Sequence, residues 1–426
     1  MARRLILRLR YLLPFPLSFR LTSHVPKSLQ SLLLPSSHVQ TPSDPPHGRA
    51  AKRLRATAYL DGLRGLAALV VCLCHYTEQN HPSLTPWYGV SAASASPAVP
   101  AEEPSWVQLP FARVAFSGRP MVHVFFVVSG FALSVRALAA ARARDFARCH
   151  AVLASAALRR PVRLCGPPVV SMALILVCVR AGWLPGALPT LEGQVGDWVA
   201  AVYYHVIWPW SWDNHLYPPY NVNLWTIPIE LCHSMLLFFM VLALSRMRAG
   251  ARVAFALTFV VYCLHCGKWA AAEFVAGMLL AEAHLVNVET GREHHLPLAN
   301  PPRCLNASEG KKAATSRWKI GISNFKRMEI VLHIIILTAA SFIAGWPNAD
   351  SKRTPGIRHL VSYTPGAFNP RDPQGPQKFW FALAAVGTVW SCGRVTFLRN
   401  IILESRFAQY AGRISFSVYI VHGPGM

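Results

Sequence analysis

The chain has 426 residues, of which 53% are hydrophobic and only 14% charged, with a mean hydropathy of +0.31 and a formal net charge of +23. A soluble chain usually carries about 25% charged residues. The apolar residues also come in long blocks, which excludes a soluble domain and predicts an all-α, polytopic transmembrane helix bundle of about 8–9 spans. The positive charge lies between those blocks, as in positive-inside loops, so the lipid bilayer is the expected surroundings and no nucleic-acid partner is inferred.

Residues 1–56 hold ten Lys/Arg against one acid, Asp44. Their Arg-rich, acid-poor start has the composition of an organelle transit peptide. The preferred reading is a disordered basic arm that keeps the N-terminus cytoplasmic, ahead of a membrane domain over 57–426. Span one, about 58–76, carries Arg64 and His75. Eleven positions make three turns plus roughly 20°, so both side chains share one face, about 16 Å apart. Ionisable groups in a span are costly and mark a pathway or a site. The plainer alternative is a snorkelling arginine and a hydrogen-bonded histidine.

A loop over 77–118 leads to span two, about 119–135. Residues 136–163 read as a basic loop with seven arginines against Asp145, followed by span three over about 164–184. Residues 185–224 lack Lys and Arg but are rich in aromatics, including Trp198, Trp208, Trp210, Trp212, Tyr217 and Tyr220. They suit either a membrane interface or a polar acceptor site.

Span four, 224–244, contains Pro228, expected to kink it, and places Glu230 and His233 on one face. Glu230-x-x-His233 is one half of a di-iron helix motif, but the second half is missing. Cys263-Leu-His-Cys266 has zinc-like spacing without a second pair. No metal is therefore expected.

Spans five and six (253–266 and 269–286) form a hairpin over Gly267-Lys268. A polar stretch over 287–327, span seven (330–346), a Pro/Gly-rich loop (347–377) and span eight (379–392) follow. Basic residues 394–413 precede a last apolar run, Ile414 to Val421. From Ile414 to the end is thirteen residues, short of the roughly 20 needed to span, so a truncated chain or an interfacial tail is expected.

With the N-terminus inside, the inside segments hold 32 Lys/Arg and the outside segments nine. The sequon Asn306-Ala-Ser308 then lies inside, unused. No cysteine falls in an outside loop, so no disulfide is expected.

Five stretches, in order, resemble the acyltransferase 3 family of multi-pass membrane O-acyltransferases. Leu60-Asp-Gly-Leu-Arg64 with His75 matches the family's Arg-x10-His signature. Val124-Phe-Phe-Val-Val-Ser-Gly-Phe131 resembles its second-helix motif. Arg160-Pro-Val-Arg163 matches its Arg-x-x-Arg element. Leu224-Trp-Thr-Ile-Pro-Ile-Glu230 resembles its Trp-and-Glu segment, in wording nearest to fungal members. Phe416-Ser-Val-Tyr-Ile-Val-His422 looks like its late helix, beyond which family members normally continue.

The resemblance implies acyl transfer, with acetyl the expected group, from a cytoplasmic acyl-CoA donor to a hydroxyl-bearing acceptor: a carbohydrate, a lipid or a secondary metabolite. A neutral imidazole suits the proton transfer such an attack needs, which assigns His75 as general base. Arg64, Arg160 and Arg163 are the expected holders of the coenzyme phosphates, the latter two at the cytoplasmic mouth. Glu230 is expected to orient His75 or pair with Arg64. His422 is expected in a supporting position or at the membrane surface. His123 and His333 are expected to be core histidines without a role. The alternative function is a membrane transporter or flippase, which also places ionisable groups in spans.

Overall fold

The apolar runs among the described residues become helices, and those residues contain no strand. The structure is a computed structural model. It describes residues 56–88, 105–208, 210–294, 310–348, 354–368 and 374–423, with backbone alone at 292–294 and 310–326. The basic arm expected over 1–56 (residue 56 apart) and the Asn306 sequon lie outside the described residues.

Helices α1 (Ala58–Asn80), α2 (Gly118–Arg142) and α3 (Phe146–Arg180) come first. α4 (Leu191–His205) precedes a 3-10 turn, Val222–Trp225, that leads into α5 (Thr226–Leu244). Then follow α6 (Ala249–His265), α7 (Trp269–His294), α8 (Gly310–Ala344), the short α9 (Ile357–Ser362), α10 (Gly375–Cys392) and α11 (Arg406–Val421). Among the described residues, six helical segments are long and apolar enough to cross a bilayer, in α1, α2, α3, α5, α7 and α8, and α6 is apolar but shorter. The protein is a multi-pass membrane bundle, in which helices satisfy their own backbone groups away from water.

The basic stretch 136–163 is not the expected loop. α2 continues to Arg142 and α3 starts at Phe146. Ala, Arg and Leu are strong helix formers, and the Asp145 carboxylate caps α3 by accepting the Arg148 N–H at 2.9 Å. Pro228 does not fall in the interior of its α-helix either. It is the third residue of α5, in the first turn, where N–H groups have no intrahelical acceptor. The polar stretch 287–327 is helical to His294 and again from Gly310. The basic run 394–413 contains the start of α11, capped by Ser405 Oγ, which accepts the Ala408 N–H at 3.1 Å. The hairpin between α6 and α7 forms as expected: Gly267 takes φ +74°, and the Lys268 N–H returns to the Cys263 carbonyl at 2.7 Å.

Cross-helix pairs fix the directions. α1 and α11 run side by side in parallel: Arg64 donates to the Gly412 carbonyl, and ten residues on His422 meets His75. α2 starts against the far part of α1, Gly118 on Cys74, and runs back. α7 runs with α2, from Phe274 beside Gly130 to Glu282 bonded to Arg142. α8 and α10 are antiparallel through His333–Ser391 and Glu329–Arg394. The starts of α1, α3, α6 and α11 and the ends of α2, α5, α7 and α10 therefore share one end of the bundle, here termed the basic face.

α2 is central, packing on α1, α3, α5, α7 and α10. Phe126, Val127, Phe131 and Leu138 are buried on it, and Phe126 stacks on Trp269. α1 and α11 approach through Gly65 and Gly412. A Cβ on Gly65 would lie 2.3 Å from the Gly412 N, and one on Gly412 would lie 2.3 Å from the Asp61 carbonyl oxygen. Small residues of this kind let membrane helices touch at the backbone. Val170, Leu174 and Val177 on α3, and Leu257 and Val261 on α6, project outward at helical spacing, as lipid-facing stripes do.

Candidate active site

Two of the bundle's cavities adjoin, with Val122 as a shared wall. The outer one, about 360 Å³, lies toward the face opposite the basic face. Its lining includes His75, Glu78, Arg119, His123, Asn223 and Lys378. His75 Nδ1 lies 3.4 Å from Glu78 Oε2. Glu78 Oε1 accepts from Asn348 Nδ2 at 2.8 Å. The His75 ring stacks on His422, with centroids 5.2 Å apart and planes at 28°.

Both nitrogens of His422 are engaged. Its Nδ1–H donates to the Tyr419 carbonyl at 2.7 Å, and its Nε2 accepts from Asn223 Nδ2 at 3.2 Å. His422 is thus a neutral platform with a fixed tautomer. His75 differs: Nδ1 faces a carboxylate, while Nε2 makes no hydrogen bond among the described residues. An imidazole held this way presents a lone pair on Nε2.

The inner cavity, about 240 Å³, is lined by Arg64, Ser129, Arg160, Arg163, Glu230 and Tyr419 among others. Glu230 forms an ion pair with Arg160 and accepts from Ser129 Oγ at 2.9 Å, and Arg160 Nε donates to Ser234 Oγ at 3.1 Å. The partner of Glu230 is therefore Arg160, not Arg64 or His75 as expected. The carboxylate beside His75 is Glu78, which has the advantage of proximity, one turn along the same helix. Arg64 donates to the Gly412 carbonyl at 2.9 Å and lies 3.6 Å from Asp61. Arg163 is exposed and has no carboxylate partner among the described residues.

Arg160 and Arg163 line the inner cavity together with Arg64, which stands six residues from the start of α1. Arg160 meets Glu230, which meets Ser129, eleven residues into α2. α3 runs on for about 21 Å beyond Arg160 toward the basic face, because it is continuous through its arginine-rich half.

The remaining histidines are held by the core. His123 is buried against Glu273 and Trp269, and His333 Nδ1 meets Ser391 Oγ at 3.0 Å. His233 shares a helix face with Glu230 but not its surroundings. Its Nδ1–H donates to the Ile229 carbonyl, and its Nε2 lies 3.7 Å from Asp213. Asp213, in the loop before α5, has its carboxyl pushed above the usual range by burial, opposed by His233 and Lys268. The aromatic segment divides between its two readings. Tyr217 lines the outer cavity, and Tyr203, Tyr204 and Trp210 are exposed away from it.

Sequence reasoning missed Glu78 and Asn348. Glu78 carried a signal, its i,i+3 spacing from His75. Asn348 carried none, because it comes from the segment after α8, 270 residues from Glu78.

An acyltransferase domain, that of the acyltransferase 3 family, matches residues 57–426. The chain is 30% identical to the O-acetyltransferase PaAT-1 of Phomopsis amygdali, over 90% of this chain and 75% of the relative. It is 25% identical to the acyltransferase clz18 of Cochliobolus lunatus, over 86% and 82%. No solved structure matches the chain. With the motif residues gathered around two adjoining cavities and the family domain matched over residues 57–426, the chain belongs to the acyltransferase 3 family and is an acyltransferase.

Proposed function

We propose that the protein moves an acyl group, acetyl being the size favoured by its likeness to an O-acetyltransferase, from acyl-CoA to a hydroxyl, with His75 as general base. The observation that carries this reading is the His75 ring in the outer cavity, with Glu78 on one nitrogen and the other turned to open space. The acceptor hydroxyl binds there. Its oxygen attacks the thioester carbonyl carbon while His75 Nε2 takes the hydroxyl proton. The carbon–sulfur bond breaks, and the proton passes to the departing thiolate, so the products are an ester and free coenzyme A. Glu78 holds the ring and favours the imidazolium that forms, and Asn348 holds Glu78.

The donor enters from the basic face, which the charge count puts in the cytoplasm. The inner cavity suits a phosphate-bearing donor in part. Arg163 is free of carboxylates, Arg64 is only loosely paired, and Arg160 is spent on Glu230. Arg163 is therefore the first phosphate contact and Arg64 the second, while the Arg160–Glu230 pair supports the wall. The acceptor is a hydroxyl compound of the carbohydrate, lipid or secondary-metabolite classes.

The test is acyl transfer in isolated membranes with labelled acetyl-CoA and a panel of hydroxyl acceptors. Wild type and His75→Ala are compared at matched expression. Thiol release with labelled product that vanishes in the variant supports the reading. Equal activity in both removes His75 from the chemistry.

A further inference from the structure

At the basic face, away from both cavities, a smaller cavity of about 180 Å³ lies between the α2–α3 turn and the α5–α6 turn. Five arginines, Arg142, Arg144, Arg246, Arg248 and Arg252, and one carboxylate, Glu289, line it. Two are neutralised. Arg142 bonds to Glu282 and Glu289, and Arg252 bonds to Glu282 through Nε. Arg144, Arg246 and Arg248 have no carboxylate partner among the described residues, and Arg246 lies over the Phe146 ring at 5.2 Å. The cavity is thus rich in uncompensated positive charge.

Two independent features give that charge a focus. Arg252 is 1% exposed, yet its Nη2 is buried without any hydrogen-bond partner. Buried guanidinium N–H groups are normally satisfied, so this one lacks an acceptor. Beside it opens the start of α6, a 17-residue helix whose N-cap residue, Arg248, supplies no capping side chain. Of the other helices that start at this face, α3 and α11 are capped by Asp145 and Ser405, and α1 lacks a side-chain cap as α6 does. The free N–H groups of an uncapped helix start are an anion site, and arginine forks complete it.

The neighbourhood indicates which anion. Along α5 and α6, toward the membrane interior, Phe239, Leu242, Phe255 and Leu257 are exposed. The arginines follow directly at the helix ends, the level at which lipid acyl chains give way to phosphates. We infer that this cavity is a phosphate-binding site, held by Arg252, Arg248, Arg144 and the α6 N-terminus, and filled by the headgroup of an anionic phospholipid.

Purified full-length protein in a neutral detergent would be titrated with phosphatidic acid, with phosphatidylcholine and with inorganic phosphate, and its thermal unfolding followed. The partner variant is Arg144→Ala with Arg248→Ala, which spares the buried Arg252 and every residue of the two inner cavities. Phosphatidic acid is expected to raise the unfolding temperature of wild type, with affinity weakened at least tenfold in the double variant. Phosphatidylcholine should have far less effect. A shift with inorganic phosphate as well, lost in the same variant, keeps the phosphate site but assigns it to a soluble phosphate. No shift with either phosphate source, or a shift that the double variant retains in full, overturns the proposal. If the double variant does not fold, Arg248→Gln alone is titrated in the same way and read by the same criteria.

Discussion

The two cavities that share Val122 handle charge differently. In the inner one, Glu230 and Arg160 satisfy each other, Ser129 and Ser234 complete the pair, and Arg64 bonds to a backbone carbonyl, so that only the exposed Arg163 at its edge lacks a partner among the described residues. In the outer one, the supporting groups are satisfied while the group at their centre is not. Asn348 bonds Glu78, Glu78 faces His75, His422 is engaged at both nitrogens, and His75 Nε2 remains unspent. Saturated polar groups rigidify a membrane interior. A polar group with one unused position inside such a frame is placed for chemistry. The two regions have equally unusual residues in sequence, and only their bonding separates support from reaction.

The strongest way to break that contrast acts on the frame itself. Gly412→Val would drive a side chain into the Asp61 carbonyl, which as backbone has no room to give. α11 should separate from α1 and withdraw His422 from His75. We expect loss of thermal stability by at least the roughly 1–3 kcal/mol of an overpacked core, together with loss of activity. Wild-type unfolding and turnover in this variant would show that the close approach of the two helices is dispensable.

His75→Ala should leave unfolding nearly unchanged but lower acyl transfer by about 10²–10⁴-fold, the range for a lost general base. Glu78→Gln comes next. A hydrogen bond to a charged group is worth about 1.5–3 kcal/mol, or about ten- to a hundredfold in turnover. The loss should fall on kcat, with KM for the acceptor little changed. A change in KM alone would make Glu78 a binding residue and not a positioning one.

The inner pair should behave differently. Arg160→Met and Glu230→Gln each leave a polar partner unmatched, so each should destabilise more than the two together. A coupling of about 0.5–3 kcal/mol is expected from the double-mutant cycle. Simple additivity would mean that the pair is not a unit. The smallest effect is expected for Asn348→Ala, which removes one bond from Glu78. A few-fold loss in turnover corresponds to about 1 kcal/mol.

Much of this protein was legible from its residues. Apolar blocks near 20 residues long specify membrane helices because an unpaired backbone group in lipid is too costly to leave exposed. The bundle, its hairpin at Gly267 and the family's ordered motifs follow from that local information. Arg64 and His75 do lie on the side of α1 that lines the cavities, as their spacing requires. Local information also misled. The arginine-rich stretch before Leu164 reads as a loop by charge and folds as helix by propensity. Pro228 reads as a kink yet sits in the first turn of its helix, where a missing N–H removes no intrahelical bond.

What sequence could not decide is which charged groups meet. Glu230 was expected to meet His75 or Arg64, and helix periodicity fixes a side chain's face but not the neighbour across from it. That choice rests on the rotation and height of separately inserted helices. These are set by contacts such as Gly65 on Gly412, whose residues are 347 positions apart in the chain. The sequence by itself determined a helical membrane acyltransferase and its unusual residues. The tertiary structure alone decided that Arg160 neutralises Glu230 while Glu78 and Asn348 hold His75, because pairing energy falls steeply with distance and only packing brings the partners within reach.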